Sequence, residues 1–351
     1  MMADRDPDRG VAGGPARHVP VLLPEVLATL APRDGGIYVD GTFGAGGYTR
    51  AILDAAECTV LALDRDPQAR EAGAALVAAY APRLILRAGC FSQLDDHVAA
   101  AGLTRVDGVA LDIGVSSMQL DEAGRGFSFM EDGPLDMRMD PQGGASAADV
   151  VNALPVQELA RVIRVLGEEK RAGAIARAIV RARDTAAITR TSALAEVVSA
   201  ALGGRRGERK HPATRTFQAL RIYVNRELDE LAGGLNAAER VLCAGGRLVV
   251  VAFHSLEDRM VKRFIAAASG KTGGTSRHQP LPEEGEAPTF KELHRGGLAP
   301  GQGEVDANPR ARSARLRACE RTLAPARGIA ATVLGVPELA PLPEARAGGW
   351  Q

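Results

Sequence analysis

The chain has 351 residues, of which 46% are apolar and 25% are charged, and its 43 basic residues balance 43 acidic ones. This composition is typical of a globular protein of about two domains, and it excludes a disordered, collagen-like or disulfide-scaffold protein. No apolar run approaches the roughly 18 residues that a membrane-spanning helix needs, so we expect no membrane partner.

Short apolar strands alternate with Ala-rich helical segments in the first third of the chain. Residues 1–17 carry no apolar core and predict a disordered leader instead of a secretory signal. The alternation of apolar runs and helices predicts a parallel sheet covered on both faces. Strands are predicted over residues 37–41, 59–64, 84–88 and 106–112, with helices over 67–80 and 92–101.

A fifth strand, predicted over residues 247–253, follows the fourth after 134 further residues. Because an ordinary crossover is far shorter, this stretch predicts an inserted domain. Its helices are predicted over residues 156–166, 168–183, 191–202 and about 214–243. Residues 269–304, rich in Gly, Pro, Thr and Glu, predict a mobile loop, and the proline-containing residues 324–351 predict a tail.

Four separated cysteines without a CxxC pair make a zinc cluster or redox motif improbable and predict no metal site. Free thiols favour a reducing compartment, so we expect a cytoplasmic protein.

Basic charge is concentrated in the second half of the chain. Between residues 161 and 226 there are fifteen Lys or Arg against five Asp or Glu, an excess of ten. This segregation favours a local polyanion site, although charge runs are commonly solvated helix faces. The candidate phosphate contacts are Arg205, Arg206, Arg209, Lys210 and Arg215, with Arg310 and Arg312 as a second group.

A glycine-rich turn follows the first predicted strand. Its glycines, at positions 41, 44, 46 and 47, allow a close approach of backbone to ligand. The spacing differs from the dinucleotide fingerprint, which weakens an NAD interpretation. Asp64 ends the second strand, where a carboxylate can accept both ribose hydroxyls. The pattern therefore predicts a cofactor that contains a nucleoside.

Asp112 ends the fourth predicted strand, so that Asp40, Asp64 and Asp112 fall at one sheet edge. Ligands of open parallel sheets bind at that edge. We therefore favour a ligand-binding role for Asp112 over a helix cap. Ser116 and Ser117, which follow, either contact a substrate or cap the next turn.

Several longer motifs occur in one order along residues 18–322, and together with the glycine turn they closely resemble the RsmH (MraW) family. These are bacterial S-adenosylmethionine-dependent methyltransferases that act on N4 of a cytosine in the decoding centre of 16S rRNA. The motifs are residues 18–23 (His-Val-Pro-Val-Leu-Leu), 127–129 (Phe-Ser-Phe), 133–140 (Gly-Pro-Leu-Asp-Met-Arg-Met-Asp), 211–218 (His-Pro-Ala-Thr-Arg-Thr-Phe-Gln), 253–259 (Phe-His-Ser-Leu-Glu-Asp-Arg) and 308–313 (Asn-Pro-Arg-Ala-Arg-Ser).

The resemblance implies an α/β fold, a class I (Rossmann-like) S-adenosylmethionine-dependent methyltransferase sheet with an inserted helical domain. The methyltransferase domain is expected over residues 18–120 and 236–323, and the substrate-recognition insertion over 121–235. The family's cofactor positions fall on Gly46, Gly47, Tyr48, Asp64, Phe91, Asp112 and Gln119. Tyr48 replaces a histidine and Met118 a proline that are usual in the family.

Two residues are candidates for catalysis. Asp112 either accepts a hydrogen bond from the amine that is methylated or binds only the cofactor. His254 ends the fifth strand, and we expect it to line the substrate pocket. Ser255 and Asp258 are interpreted as a helix N-cap with its carboxylate partner instead of hydrolase residues. Phe127, Phe129 and Phe217 either stack on a base or pack in the core.

The expected partner is 16S rRNA in the small ribosomal subunit, and a homodimer is an open possibility. The alternative function is a ribosome-assembly factor that binds RNA and has a vestigial cofactor pocket. An intact glycine turn together with Asp64 and Asp112 counts against it.

Overall fold

A computed structural model of the chain describes residues 20–204, 211–271 and 287–346, which are built around a seven-stranded sheet. The strands are β1 (Ile37–Asp40), β2 (Thr59–Asp64), β3 (Leu84–Ala88), β4 (Val106–Asp112), β5 (Leu242–Ala252), β6 (Phe290–Glu292) and β7 (Arg315–Arg321). Their order is β3-β2-β1-β4-β5-β7-β6. The first five strands are parallel, whereas β7 runs antiparallel to both β5 and β6.

This order confirms the predicted α/β, Rossmann-like sheet, with its crossover point between β1 and β4. Successive side chains of each strand enter opposite cores. In β2, Leu61 and Leu63 face one hydrophobic cluster, whereas Val60 and Ala62 face the other. Burial on both faces explains why the strands are continuous apolar runs, and why β1 to β4 agree with the sequence prediction to within one residue.

Helices cover both faces of the sheet. The elements before the insertion are α1 (Leu23–Leu30), α2 (Gly47–Ala55), α3 (Pro67–Ala72), α4 (Ala74–Ala79), α5 (Leu94–Ala100) and α6 (Ser117–Asp121), with a 3-10 turn over Phe91–Gln93. Those that follow are α7 (Ala147–Ala153), α8 (Val156–Leu166), α9 (Ala172–Arg183), α10 (Thr191–Ala201), α11 (Thr214–Val224), α12 (Glu227–Val241), α13 (Ser255–Ala268), α14 (Gln302–Ala307) and α15 (Ala331–Leu334).

The long helix predicted over residues 214–243 is instead two helices, α11 and α12. Arg226 between them has a φ of 50°, outside the helical region. The side chain of Asn225 accepts a hydrogen bond from the N–H of Met139 (2.8 Å) and donates to the carbonyl of Met137 (2.7 Å). The break thus fixes a distant loop to the α11–α12 junction.

Three other predictions need correction or qualification. Strand β5 begins at Leu242, five residues earlier than predicted, because Leu242 pairs with Val106 before an irregularity in the register. The predicted mobile loop over 269–304 contains β6 and the start of α14 in its described part. In the predicted tail, the carbonyls of Ala340 and Pro341 accept hydrogen bonds from the Tyr223 hydroxyl. The predicted leader over residues 1–17 lies outside the described residues, and the domain boundaries stay a prediction.

Within the described ranges, no helix is both long enough and apolar enough to cross a membrane.

Candidate active site

A cavity of about 410 Å³ lies at the carboxyl ends of β1 to β4, and residues around the α11–α12 junction close it. Ligands of doubly wound sheets bind at this edge, beside the point where the strand order reverses. Gly46 belongs to the same turn but does not line the cavity. The predicted cofactor residues that do line it are Gly47, Tyr48, Asp64, Phe91, Asp112 and Gln119.

The glycine turn forms one wall of the cavity and requires its glycines for two reasons. Gly44 and Gly46 have positive φ values of 52° and 75°, which side chains disfavour. A Cβ atom on Gly47 would lie 2.2 Å from Cγ of Pro20. The turn is tied to the neighbouring strand, because the hydroxyl of Thr42 accepts a hydrogen bond from the N–H of Asp112 at 2.7 Å.

Asp40 lies beneath this turn and is fully buried. Its carboxylate accepts hydrogen bonds from the N–H of Thr42 (3.1 Å) and from the hydroxyl (2.7 Å) and N–H (3.1 Å) of Thr49. Burial raises the pKa of Asp40 to about 6 although these donors oppose the shift. Asp40 therefore holds the turn in place and is not a wall residue of the cavity.

Asp64 lines the cavity at the end of β2. One carboxylate oxygen accepts the N–H of Gly44 and the other accepts the N–H of Asp66, both at 2.8 Å. Burial raises the pKa of Asp64, and the two N–H donors work in the opposite direction. A carboxylate oxygen has two lone pairs, so each oxygen retains one for a ligand hydroxyl. Two adjacent ribose hydroxyls match this arrangement.

Asp112 lines the cavity at the end of β4, and its Oδ1 atom is buried without a hydrogen-bond partner in the described part of the chain. Burial, and then the nearby carboxylates of Asp40 and Glu257, raise its pKa well above the ordinary value of 3.8. An unpaired buried oxygen costs free energy unless a ligand supplies a donor. Asp112 is therefore a site for an N–H donor or a developing positive charge.

The hydroxyl of Tyr48 donates a hydrogen bond to the carbonyl of Val21, and the side chain is 4% exposed. Burial raises the pKa of this hydroxyl well above its ordinary value. The polar group of Tyr48 is thus used within the protein, and a ligand meets mainly its ring and backbone. Met118, the other departure from the family pattern, is 39% exposed at the cavity wall.

A buried polar network orders the wall that follows β4. The amide nitrogen of Gln119 donates to Asp66 at 2.8 Å, and its amide oxygen accepts the N–H of Ser116 at 3.1 Å. Ser116 caps α6, which is one of the two roles that the sequence analysis considered for it. Arg125 donates to the same oxygen of Asp66 at 2.8 Å. Because both polar ends of Gln119 have protein partners, its contribution to a ligand site is mainly to position this wall.

The side chain of His254 does not line this cavity, and its expected place at the substrate pocket stays a prediction. Its Nδ1 atom accepts the N–H of Glu257 at 3.4 Å and caps α13. The N-cap is therefore His254 instead of Ser255, and its partner is Glu257 instead of Asp258. The neighbouring residue Phe253 occupies the cavity wall.

A charged cluster behind this wall escaped the sequence analysis. Arg221 and Glu227 line the cavity, and Arg221 donates to both carboxylate oxygens of Glu227 at 2.8 Å. Burial raises the pKa of Glu257, but His254 and Arg221 outweigh burial and lower it overall. Ligand atoms of Glu227, His254 and Glu257 lie within 4.8 Å of one another, a spacing that a cation could use. Arg221 already supplies positive charge there. In the sequence, Arg221 and Glu227 are separated by five residues. This spacing did not predict their contact, because the relative position of two residues across a helix break is not fixed by the helical repeat.

The predicted RNA-binding residues occupy different places. Arg205, Arg206, Arg209 and Lys210 lie outside the described residues. Arg310 lines the cavity and pairs with Asp121 at 2.6 Å. Arg312 is exposed, and so is Arg215, which lies 3.5 Å from Glu169.

The three candidate stacking aromatics lie in or pack against the larger hydrophobic cluster of the chain. Phe127 and Phe217 are buried, and the ring of Phe129 lies 4.8 Å from that of Phe217 in an edge-to-face arrangement. None of the three lines the cavity described above. Core packing, the second of the predicted alternatives, accounts for them.

The walls of the cavity fit a cofactor that contains a nucleoside and an amino acid. Asp64, at the end of β2, can accept hydrogen bonds from two ribose hydroxyls and lies next to the glycine turn, whose backbone a ligand can approach closely. Asp112, with its unpaired oxygen, lies beyond the turn. S-adenosylmethionine, the cofactor implied by the sequence resemblance, has a ribose, a sulfonium and an ammonium group that suit these features.

Comparison with known proteins identifies a family and several relatives to which this chain is similar. Residues 15–322 match the family model described as the MraW methylase family. A protein named ribosomal RNA small subunit methyltransferase H from Parvibaculum lavamentivorans is 58% identical, over 91% of this chain and 93% of its own length. A protein of the same name from Xanthobacter autotrophicus is 61% identical, over 90% of each chain. A solved rRNA methylase from Streptococcus thermophilus is 11% identical, with a TM-score of 0.38 over 85% of this chain and 93% of that one.

The family model covers all seven strands of the sheet, and the two relatives align over 93% and 90% of their own lengths. The chain therefore belongs to the MraW methylase family.

Proposed function

We propose that this chain transfers a methyl group from S-adenosylmethionine to N4 of a cytosine in the decoding centre of 16S rRNA, within the small ribosomal subunit. The observation that carries the proposal is the unpaired Oδ1 of Asp112 in the wall of a nucleoside-sized cavity. Membership of the MraW methylase family and relatives named for small subunit rRNA methylation support it. The choice of the cytosine amine follows the sequence resemblance.

In this proposal, Asp64 accepts hydrogen bonds from the ribose hydroxyls, and the backbone of the glycine turn accommodates the amino-acid part. The sulfonium of the bound cofactor supplies a methyl group that is already electrophilic. The protein consequently has to hold the acceptor nitrogen in line with the methyl group and exclude water. The side chains of Phe91, Ile113 and Val115 provide apolar walls for that purpose.

The acceptor amine is a poor nucleophile because its lone pair is delocalised into the pyrimidine ring. An oxygen that accepts one of its N–H groups favours the pyramidal nitrogen and stabilises the positive charge that develops on it. Asp112 has such an oxygen free, within a buried setting that strengthens the interaction. The ionised carboxylate accepts this bond more strongly and stabilises the developing positive charge better than the protonated form, so we expect the transfer rate to rise with pH as Asp112 loses its proton.

The target base has to leave its helix or loop to reach a cavity at the sheet edge. Arg310, at the cavity mouth, and the exposed Arg215 and Arg312 are proposed to bind RNA phosphates. The basic residues 205, 206, 209 and 210 belong to the same proposal, because the excess of positive charge in the sequence includes them. Such contacts position the RNA without reading its sequence.

The second candidate is an RNA-binding assembly factor with a vestigial cofactor pocket. Loss of activity would remove any need for a glycine turn without room for a Cβ, or for an unpaired buried carboxylate oxygen. The retention of both features favours the enzyme.

The test is methyl transfer from labelled S-adenosylmethionine to 30S subunits that lack the modification, followed by nucleoside analysis. Formation of N4-methylcytidine supports the proposal. A different methylated nucleoside would overturn the acceptor assignment, and particle binding without transfer would favour the assembly factor.

The Asp112→Asn variant separates the two roles of this residue. If Asp112 assists the acceptor amine, the variant loses about 100-fold or more in kcat and retains most of its affinity for the cofactor. If Asp112 binds only the cofactor, the loss appears in cofactor affinity instead.

A further inference from the structure

Glu230 is a second residue of the cavity wall whose carboxylate has a buried oxygen without a partner among the described residues. Glu230 lies in the first turn of α12 and lines the cavity. Its Oε2 atom is buried and has no hydrogen-bond partner among the residues that the structure describes. Neither the sequence motifs nor the transfer chemistry uses this residue. A buried carboxylate oxygen without a hydrogen-bond donor lowers the stability of the fold. Such an oxygen in a cavity wall indicates that a ligand supplies the missing donor.

Close packing of α12 brings Glu230 to the end of β3. A Cβ on Gly233 would lie 2.8 Å from Cβ of Ser92, and one on Gly234 would lie 2.4 Å from the ring of Phe91. These glycines follow Glu230 by three and four positions, so they share its helix face. Their lack of side chains lets the helix approach the segment that follows β3.

Cys90 belongs to the same segment, directly before Phe91. The pKa of its thiol is raised first by burial and next by the negative charge of Glu230. Cys90 and Phe91 are both wall residues of the cavity. Glu230 thus closes the end of the cavity that lies beyond β3.

The strand order determines which part of the cofactor reaches that end. The strands run β3-β2-β1-β4, so the Asp64 diol site at β2 has the glycine turn and Asp112 on one side and Glu230 on the other. Neighbouring strands are about 4.8 Å apart, so β3 is one strand spacing from the ribose site. With the sulfonium end toward Asp112, the nucleobase attached to the ribose occupies the side of Cys90 and Glu230.

We propose that Glu230 accepts a hydrogen bond from the exocyclic amine of the cofactor's adenine and selects adenine over purines that carry an oxygen at this position. An ionised carboxylate only accepts hydrogen bonds, so it pairs with an amine and repels a carbonyl oxygen. Sites built around such a bond reject analogues that lack it, because the buried group is left unpaired. This inference rests on the proposed function for the identity of the cofactor.

The experiment compares two ligands by isothermal titration calorimetry. S-adenosylhomocysteine carries the amine, and S-inosylhomocysteine carries a carbonyl oxygen in its place. We expect the wild-type protein to bind the inosyl compound about 10- to 100-fold more weakly. In Glu230→Gln the side-chain amide can turn its N–H toward the carbonyl, so the ratio of the two affinities should fall toward one.

Asp229→Asn is the matched control, because Asp229 is the adjacent carboxylate on the same helix, is exposed and lies 3.7 Å from Arg226. It should retain the wild-type ratio. Glu230→Ala provides a second variant without an acceptor, and it should also lose discrimination. The ratio of the two affinities is measured first on the wild-type protein, so this part of the test does not depend on the folding of any variant.

Equal binding of both ligands to the wild-type protein, or an unchanged ratio in Glu230→Gln, would overturn the role of Glu230 while leaving the cofactor assignment intact. If the wild-type protein binds neither ligand, the proposed function fails and this inference fails with it.

Discussion

The buried ion pair between Arg125 and Asp66 is the feature whose removal should destabilise the cofactor wall most. The two side chains are 8% and 5% exposed, and their charged atoms are 2.8 Å apart. Arg125 also donates to Gln68 at 2.7 Å and to the carbonyls of Arg138 (3.1 Å) and Met139 (3.0 Å). One guanidinium therefore connects the segment after β2 with the loop before α7.

Arg125→Met keeps most of the aliphatic volume but leaves Asp66 as an uncompensated buried charge. Removal of one partner from such a pair costs about 3–5 kcal/mol of unfolding free energy. The control is Arg240→Met, whose pair with Asp95 has the same kind of contact at 2.7 Å but is 47% and 29% exposed. Because solvent screens that pair, its loss should cost about 1 kcal/mol or less.

Urea denaturation followed by circular dichroism measures both losses as shifts in the transition midpoint. The double variant Asp66→Asn with Arg125→Met removes the uncompensated charge, and it should recover part of the stability lost in Arg125→Met. If Arg125→Met shifts the midpoint no more than Arg240→Met does, burial of the pair has no energetic consequence and the reasoning is refuted.

Three further predictions concern the turn and the RNA contacts. Tyr48→Phe should lower the unfolding free energy by about 1–2 kcal/mol, because it leaves the Val21 carbonyl unpaired. Titration calorimetry of the variant should show an unchanged affinity for the cofactor. A large loss of that affinity would show that the Tyr48 hydroxyl contacts the ligand. Asp40 keeps its proton up to about pH 6 in the folded chain, against an ordinary value of 3.8. Folding therefore binds a proton between these values, and the Asp40 contribution to stability falls as pH rises from about 4 to 6. Asp40→Asn should abolish this part of the pH dependence when urea midpoints are measured between about pH 4 and pH 6. If the midpoint of the variant changes with pH as steeply as that of the wild type, Asp40 is not the group responsible. The logarithm of the RNA-binding constant should fall linearly with the logarithm of the salt concentration between about 50 and 200 mM. Arg215→Gln and Arg312→Gln should each reduce the steepness of this line by about one. An unaltered slope would show that the residue does not contact an RNA phosphate.

Local sequence was sufficient to predict the first four strands and the general location of the site, whereas β6 and β7 were not predicted. Strands β1 to β4 are buried on both faces, so their apolar runs are unambiguous and their bounds were predicted closely. The glycine turn, Asp64 and Asp112 were also predictable, because the carboxyl ends of parallel strands meet at one edge. These features depend on local sequence and on a topological rule.

The roles of the polar side chains depend on contacts between distant parts of the chain. The break between α11 and α12 exists because Asn225 binds a loop more than 80 positions away, which no helical period reveals. His254 caps a helix instead of lining the cavity because Glu257 folds back on it. Glu230 reaches the end of β3 because glycines in α12 allow close packing against a distant segment. A hydrogen bond or an unpaired oxygen is a property of atoms that folding brings together, so its location is fixed only when the packing of the whole chain is known.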